Sequence, residues 1–387
     1  MKIGVIGAGS MGSGIAQLAS SHGHEVLLFD QYEDSLNKAK AKIRKILNRL
    51  VEKGKIEPSQ ADGTFNRIQP AFDYADLADS QLVIEAVVER LDVKQKIFRK
   101  LEEFIPEDCI LATNTSSLSV AAIAAACQRP DRVVGIHFFN PAPLMRLVEI
   151  VPALQTDPAY VSAATEIIQA LGKTTVQAID TPGFIVNRVA RPFYGESLRI
   201  LEEGIADVAT IDWAMTQIGG FRMGPFTLMD YIGNDVNYTV TETVFKAFYH
   251  DPRYKPAFTQ KRLAEAGYLG RKAGRGYYEY YEGAERPQPN ADPELGQQIV
   301  DRVVAMLINE AADALFWQIA SADDIDLAMT RGVNYPKGLL AWADEIGLAE
   351  CVLRMDTLYH EYREDRYRCS PLLRRMARNN ETFFPPQ

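Results

Sequence analysis

A histidine and a glutamate twelve positions later are the residues of this chain best suited to acid–base chemistry. His137 ends an apolar run and precedes Asn140 and Pro141, and Glu149 follows. Imidazole has an unperturbed pKa of about 6.5, so it can accept a proton near neutral pH. A carboxylate on its far nitrogen would fix the tautomer and stabilise the imidazolium. The pair predicts a general base; the alternatives are a satisfied core histidine and, for Glu149, a surface ion pair.

Two neutral hydrogen-bond donors accompany this pair in the sequence. Ser116 lies in a Thr-Asn-Thr-Ser-Ser-Leu run, and Asn187 lies in an Ile-Val-Asn-Arg run. A hydroxyl and an amide suit the oxygen of an alcohol as it becomes a carbonyl. Each residue also has a structural alternative, because Ser116 could cap a helix over 120–126 and Asn187 could start a helix.

A glycine loop near the N-terminus predicts a bound dinucleotide, which could accept a hydride while the histidine accepts a proton. Gly7, Gly9 and Gly12 form a G-x-G-x-x-G fingerprint after an apolar strand over 2–6. Gly7 allows a tight turn, Gly9 lets a pyrophosphate approach the backbone, and Gly12 lets the next helix pack closely. Ser10 and Met11 lie at the start of that helix, over 11–21, where free N–H groups face phosphates.

The acid that ends the second predicted strand indicates which dinucleotide binds. Asp30 lies 18 residues after Gly12, where a carboxylate accepts hydrogen bonds from the adenosine ribose. Gln31 and Tyr32 follow, so no adjacent basic residue is present to bind a 2′-phosphate. NAD is therefore predicted over NADP, although an ordinary polar residue at a strand end is the alternative for Asp30.

The surrounding pattern is that of an α/β domain with one unusual helix. Apolar runs over 81–87, 109–113 and 132–138 are typical of parallel strands that helices cover on both faces. A long amphipathic helix is predicted over 34–55. One of its faces carries a basic stripe, which could bind an anionic group or simply face solvent: Lys38, Lys42, Lys45, Arg49 and Lys53.

Composition excludes several classes of protein. The 387 residues are 47% hydrophobic and 24% charged, with a net charge of −9, which argues against a nucleic-acid partner. The four cysteines show no zinc-ligand spacing, so no metal is predicted, and reduced thiols fit a cytoplasmic location. No apolar stretch is long enough to span a bilayer, so no membrane association is expected.

The second half of the chain repeats itself at a constant offset of 114 residues, as from Arg188 to Arg302 and from Glu196 to Glu310. The same offset relates further positions: Ile211 to Ile325, Asp212 to Asp326, Met215 to Met329, Gly224 to Gly338, Asp230 to Asp344 and Gly233 to Gly347. So many matches without a gap indicate a duplicated helical domain. Asn187 maps to Asp301, so the second copy is expected to be non-catalytic.

The predicted fold class is an α/β Rossmann-type dinucleotide-binding domain followed by two all-α helical domains. The NAD-binding domain covers 1–182, the first helical copy 183–283 and the second 297–387, with a linker over 283–296. The two copies are expected to pack as an intramolecular pseudo-dimer, and a homodimer of chains is possible. Residues 379–387 are expected to be loosely ordered.

Several motifs resemble those of the short L-3-hydroxyacyl-CoA dehydrogenases, and the resemblance covers roughly residues 1–283. The matching runs are T-N-T-S-S-L at 113–118, H-F-F-N-P at 137–141, L-V-E at 147–149, T-P-G-F-I-V-N-R at 181–188 and G-R-G-Y-Y at 274–278. The resemblance implies NAD as cofactor and an acyl-CoA as substrate. It also implies that His137 is the catalytic acid/base held by Glu149, with Ser116 and Asn187 on the substrate oxygen.

The same resemblance implies further contacts. Glu89 and Lys94 look like contacts to the cofactor ribose and nicotinamide, and Asn114 and Asn140 are expected at the cofactor. Lys53 resembles a lysine that binds coenzyme A, although other lysines of the basic stripe are alternatives.

The predicted reaction is the reversible oxidation of an L-3-hydroxyacyl-CoA to a 3-oxoacyl-CoA. One alternative is a dehydrogenase of the same fold that acts on a free hydroxy acid or sugar acid. A second is a dicarboxylic substrate such as 3-hydroxyadipyl-CoA, whose second carboxylate could pair with Arg146, Arg188 or Arg191 unless these form structural ion pairs. A non-catalytic NAD-binding protein is a third, and the four intact site residues argue against it.

Overall fold

The computed structural model describes residues 1–385 in two compact units, Met1–Phe184 and a second unit that begins at Ile185. The first unit contains an eight-stranded sheet in the order β3-β2-β1-β4-β5-β6-β7-β8. Its strands are β1 (Lys2–Ile6), β2 (Glu25–Phe29), β3 (Ile68–Ala71), β4 (Leu82–Glu85), β5 (Ile110–Thr113), β6 (Val133–Phe138), β7 (Leu147–Pro152) and β8 (Thr174–Gln177).

Six helices belong to the first unit in the described part of the chain. They are α1 (Ser10–Ser21), α2 (Glu33–Glu52), α3 (Pro58–Asn66), α4 (Leu91–Leu101), α5 (Val120–Ala124) and α6 (Pro158–Ala170). The core lies between sheet and helices and is built from the apolar runs of the sequence, for example Val5, Ile84 and Ile136 in adjacent or nearby strands. The fully buried pattern of β4, β5 and β6 follows from this coverage.

The sheet contains one antiparallel pair, and it is the pair that carries the predicted base. β1 to β6 all run parallel, whereas β7 returns antiparallel to β6, and β8 pairs parallel with β7. The sequence analysis did not predict β7, β8 or β3 as strands. In the observed register His137 lies directly opposite Glu149.

The second unit is helical in its described residues. Its helices are α7 (Val186–Val189), α8 (Arg191–Glu202), α9 (Val208–Trp213), α10 (Pro225–Ile232), α11 (Asn234–Ala247), α12 (Phe258–Glu265), α13 (Pro293–Phe316), α14 (Ala322–Gly332), α15 (Leu339–Ile346), α16 (Leu348–Tyr362) and α17 (Pro371–Asn379). The predicted linker over 283–296 is shorter than expected, because Asp292 caps α13 and Pro293 begins it.

The C-terminal tail is more ordered than predicted. After α17, the backbone N–H groups of Phe383 and Phe384 donate to the two carboxylate oxygens of Asp344, at 2.9 Å each. Asp230, which corresponds to Asp344 at the offset of 114 residues, accepts in the same way from the backbone N–H groups of Tyr277 and Tyr278, also at 2.9 Å. The expectation of a loose tail was therefore wrong for these residues; residues 386–387 lie outside the described chain.

Two clusters of identical composition hold the second unit together. The carboxylate of Glu310 on α13 accepts from the Arg188 guanidinium at 2.7 Å, from Arg253 at 3.0 Å and from the Tyr254 hydroxyl at 2.5 Å. This glutamate is completely buried. Because a buried charge is tolerated only when it is paired and hydrogen-bonded, loss of any of these partners would destabilise the packing of α13.

In the second cluster the glutamate belongs to the first half of the unit and its partners belong to the second half. The carboxylate of Glu196 on α8, also completely buried, accepts from Arg302 at 2.7 Å and from the Tyr367 hydroxyl at 2.7 Å. The Arg366 guanidinium lies 3.3 Å away. Thus each glutamate is bound by two arginines and a tyrosine from the other half of the unit.

Two further observations concern only the described residues. None of their helices is long and apolar enough to cross a membrane. They also contain no group of histidine, cysteine, aspartate and glutamate side chains that could hold a metal ion.

Candidate active site

His137 and Glu149 form a buried pair across β6 and β7. The Nδ1 atom of His137 lies 2.6 Å from Oε2 of Glu149, and the two residues are 5% and 0% exposed. Phe139 and Phe184 lie against the imidazole, with ring centroids 4.5 and 5.8 Å from it. The carboxylate thus engages Nδ1 rather than Nε2, and the catalytic role of the pair stays a prediction.

The loop after His137 is fixed by a lysine that the sequence analysis missed. Nζ of Lys173 donates to the backbone carbonyls of Ala142, at 2.6 Å, and Met145, at 2.7 Å. Burial lowers the pKa of Lys173 to about 8. The loop begins with exposed Asn140, whose peptide bond to Pro141 is cis.

Asn114 serves the same strand. Its side-chain oxygen accepts from the backbone N–H of Phe138 at 2.9 Å, so it ties the end of β5 to the end of β6. The sequence analysis assigned Asn114 to the cofactor. In the structure Asn114 follows β5, the strand next to the one that carries His137, and it binds the backbone of Phe138, the residue after His137.

Ser116 lies in the loop after β5, and Glu89 fixes that loop. The Oε1 atom of Glu89 accepts from the Thr115 hydroxyl at 2.5 Å and from the backbone N–H groups of Ser116 and Ser117 at 3.0 and 3.2 Å. Burial raises the pKa of Glu89, but the charge of Lys94 and these hydrogen bonds outweigh it and hold the pKa below its usual value. Glu89 therefore stays ionised and clamps the loop.

Ser116 is not the cap of the following helix. Ser119 caps α5 by accepting from the backbone N–H of Ala122, and Asp180 accepts from Val120 and Ala121 at 3.0 and 2.8 Å. The Ser116 hydroxyl makes no hydrogen bond with any residue in the described part of the chain. The capping alternative is excluded, and the hydroxyl is left for a ligand.

Lys94 is buried between two carboxylates, one of which the sequence analysis did not identify. Its Nζ atom lies 2.7 and 3.0 Å from the two oxygens of Glu85, which is completely buried, and 3.2 Å from Glu89. Glu85 also accepts from the Thr113 hydroxyl at 2.8 Å. The signal available in the sequence was the acid at the last position of β4, comparable to Asp30 directly after β2.

The glycine loop fits a dinucleotide. A Cβ atom on Gly12 would lie 1.7 Å from the carbonyl oxygen of Gly7, and one on Gly7, whose φ is +100°, would lie 2.7 Å from that of Ala86. A Cβ atom on Gly9 would instead meet nothing within 4 Å, so the space above Gly9 is open. No side chain caps the N-terminus of α1, and its free N–H groups suit the pyrophosphate.

Asp30, which the sequence analysis assigned to the ribose, supports this loop. Its Oδ2 atom accepts from the backbone N–H of Ala8 at 2.8 Å, and its Oδ1 atom accepts from Tyr32 at 3.0 Å. A carboxylate has about four lone-pair positions, so acceptors remain for ribose hydroxyls. Ser10 and Met11 occupy the first turn of α1 as predicted.

Two further predicted residues, Lys53 and Asn187, belong to other elements of the chain. Lys53 is exposed at the C-terminal end of α2, and none of the five residues of the basic stripe has an ion-pair partner among the described residues. Asn187 belongs to α7 in the second unit. Its side-chain amide makes no hydrogen bond with any described residue, so it is available as a donor.

The sequence of the chain matches a known family over both units. Residues 2–181 match the NAD-binding domain of 3-hydroxyacyl-CoA dehydrogenase, and residues 183–280 and 299–382 match the C-terminal domain of that family. The 3-hydroxyadipyl-CoA dehydrogenase of Escherichia coli K12 is 39% identical, with 97% of each chain covered. The mitochondrial hydroxyacyl-coenzyme A dehydrogenase of Homo sapiens is 40% identical over 71% of this chain and 90% of its own.

A solved structure shows the same fold over the full length. The crystal structure of a 3-hydroxybutyryl-CoA dehydrogenase from Escherichia coli K12 superposes with a TM-score of 0.93, at 38% identity and 98% coverage of both chains. Together with the two matched domains and the buried histidine–glutamate pair, this similarity shows that the chain belongs to the NAD-dependent 3-hydroxyacyl-CoA dehydrogenase family.

Proposed function

We propose that His137 is the general base in the NAD-dependent oxidation of an L-3-hydroxyacyl-CoA to a 3-oxoacyl-CoA. The observation that carries this proposal is the 2.6 Å contact between Nδ1 of His137 and Glu149 inside the sheet. The contact orients the imidazole and stabilises its protonated form, which is the form that the reaction generates.

Four residues of the chain have separate roles in the transfer of the hydroxyl proton. Nε2 of His137 takes the proton of the 3-hydroxyl group, and Glu149 stabilises the imidazolium through Nδ1. Ser116 and Asn187 donate hydrogen bonds to the same oxygen as it becomes a carbonyl. In the reverse direction, the imidazolium returns the proton. NAD, when bound, accepts the hydride from C3.

The cofactor and coenzyme A use different parts of the first unit. Gly7, Gly9 and Gly12 with the N-terminus of α1 hold the pyrophosphate, and Asp30 binds the adenosine ribose. The exposed basic stripe of α2, including Lys53, attracts the phosphates of coenzyme A, because none of its side chains is neutralised by an ion pair with a described residue. Lys94, Glu89, Asn114 and Asn140 lie in or beside the loops that would border the nicotinamide.

The second proposal concerns the helical unit, which we infer to be an internal duplication. Arg188 and Glu196 correspond to Arg302 and Glu310 at the sequence offset, and the structure pairs Arg188 with Glu310 and Arg302 with Glu196. Such reciprocal pairing is the signature of a two-fold interface, here within one chain. The second copy takes the place that a partner subunit would occupy.

The first prediction tests the reaction. With NAD, kcat/KM for L-3-hydroxybutyryl-CoA should exceed that for free L-3-hydroxybutyrate by at least about 10²-fold, because the coenzyme A moiety supplies binding energy. NADP should be a poorer cofactor by about 10²-fold, because its 2′-phosphate would meet Asp30. Equal activity on the free acid would instead favour the alternative of a hydroxy-acid dehydrogenase.

The second prediction tests the roles of the two paired residues. His137→Gln should lower kcat by about 10²–10⁴-fold, since the general base is lost. Glu149→Gln should lower kcat by up to about 10⁴-fold, because an amide does not hold the tautomer. His360→Gln, at an exposed position on α16, is the matched control. Stopped-flow measurement of NADH binding shows whether the fold is intact; an unchanged kcat in His137→Gln would rule out the assignment.

The third prediction tests the duplication. A chain that stops after Glu282 loses α13 with Glu310, so Arg188 and Arg253 lose their carboxylate partner and the surface that α13 covers becomes exposed. Two truncated chains can restore the pairs by joining Arg188 of one chain to Glu196 of the other, so sedimentation should detect a dimer. The same truncated chain with Glu196→Gln should not dimerise. A truncated chain that is an active monomer would contradict the duplication.

A further inference from the structure

Lys173 is a buried lysine whose charge no carboxylate neutralises. Two lysines are buried in the described chain, Lys94 and Lys173. Lys94 lies between the carboxylates of Glu85 and Glu89. Lys173, which directly precedes β8 and is 8% exposed, makes no ion pair with a described residue, and its ammonium donates only to two backbone carbonyls. Buried charges are normally paired, so this exception requires an explanation.

The surroundings of Lys173 do not compensate for its burial. Helix α1 contains no charged side chain, and neither does β8. The other charged or titratable side chains of the elements that surround Lys173 are exposed or already paired: His22, Arg146 and Glu166 are exposed, and Glu149 binds His137. Burial therefore lowers the pKa of Lys173 from its ordinary value of 10.5 to about 8. The buried ammonium opposes folding, and stability alone does not account for its presence.

Both carbonyls belong to the loop over 139–146, which joins β6 to β7. The Nζ atom of Lys173 lies 2.6 Å from the carbonyl oxygen of Ala142 and 2.7 Å from that of Met145. The first residue of β8 donates its backbone N–H to the carbonyl of Arg146 at 2.8 Å. The start of β8 and the lysine before it therefore bind the loop at three points, in its middle and at its end.

The 139–146 loop connects the imidazole to helix α1. At the start of the loop, Phe139 lies against His137, with ring centroids 4.5 Å apart. In its middle, the Cβ atom of Ala142 lies 3.4 Å from the position that a Cβ atom on Gly14 would occupy, so the loop packs closely against α1. In the proposed function, the N-terminus of α1 holds the pyrophosphate and Asn140 lies in the loop that borders the nicotinamide. A shift of this loop would move the base and the cofactor relative to each other.

We propose that Lys173 is a positioning residue for the reaction, which holds the 139–146 loop so that His137 and the bound dinucleotide meet in a productive geometry. The ammonium donates charge-assisted hydrogen bonds to two carbonyls at once, which an apolar side chain cannot do. An error of about 1 Å in the placement of reacting groups can lower a rate by about 10²-fold. This inference rests on the proposed function and adds to it a residue that acts through the loop.

The first test separates positioning from stability. Lys173→Met removes the charge and its donors and keeps an unbranched side chain. With L-3-hydroxybutyryl-CoA and NAD, kcat should fall by about 10- to 100-fold and KM should change much less. The unfolding temperature should change little, because relief of the buried charge offsets the loss of two hydrogen bonds. Lys255→Met, at an exposed lysine before α12, is the matched control and should change neither quantity.

The outcomes of this test are distinct. An unchanged kcat in Lys173→Met, with or without a lower unfolding temperature, would overturn the inference and leave the proposed function standing, because Lys173 would then be a structural residue only. An unmodified chain that does not oxidise the substrate would overturn the proposed function itself.

The second test observes the loop without substrate or NAD. The backbone N–H groups of Leu144 and Met145 donate to the carbonyl of Pro141 at 3.0 Å each. Hydrogen exchange at these two amides should be faster by about 10-fold or more in Lys173→Met, whereas exchange in α4 should stay the same. Lys173→Gln, which is shorter and uncharged, provides the same comparison if the methionine variant does not fold. Equal exchange at both amides in the variant and the unmodified chain would show that Lys173 does not hold the loop, and would overturn the inference.

Discussion

The antiparallel return of β7 beside β6 is the constraint on which the site depends. All strands up to β6 are parallel, and parallel strands place their C-terminal ends at the same edge of the sheet. Reversal of β7 brings Glu149 directly opposite His137 within the sheet, where both backbones are fixed by the hydrogen-bond ladder. Because side chains alternate between faces, a slip of one residue in this register would move the carboxylate to the opposite face.

The loops after the neighbouring strands position the other site residues. Each of β4, β5 and β6 ends in a loop that contributes a polar group, and these loops are tied to one another through Glu85, Glu89 and Asn114. Ser116 is thereby positioned by backbone hydrogen bonds while its hydroxyl stays available. Preorganised donors of this kind stabilise a developing charge without reorganisation during the reaction.

The sequence was sufficient for those features whose signals are local. The glycine loop, the apolar strands other than β3, β7 and β8, and the basic helix could all be predicted because each depends on residue type and short spacing. The pairing of His137 with Glu149 could be proposed from the motif, but its register depends on β7, which the sequence did not indicate. The position of Glu85 at a strand end was visible, but the partners of Glu85 and Lys173 were not, because only the folded sheet brings these residues to Lys94 and to the loop after His137. The offset of 114 residues was visible in the sequence, whereas the exchange of partners between Arg188–Glu310 and Arg302–Glu196 required the packed helices.

The central claim is that Glu149 holds Nδ1 of His137 so that Nε2 can accept a proton, and the tautomer of the neutral imidazole tests it most directly. Nitrogen-15 NMR of the histidine-labelled chain would resolve the five histidines, with the His137→Gln variant identifying the relevant signals. The structure predicts neutral His137 with its proton on Nδ1 and an unprotonated Nε2. Neutral His137 with its proton on Nε2 would contradict the account, because the nitrogen assigned as the base would then have no lone pair to accept the substrate proton.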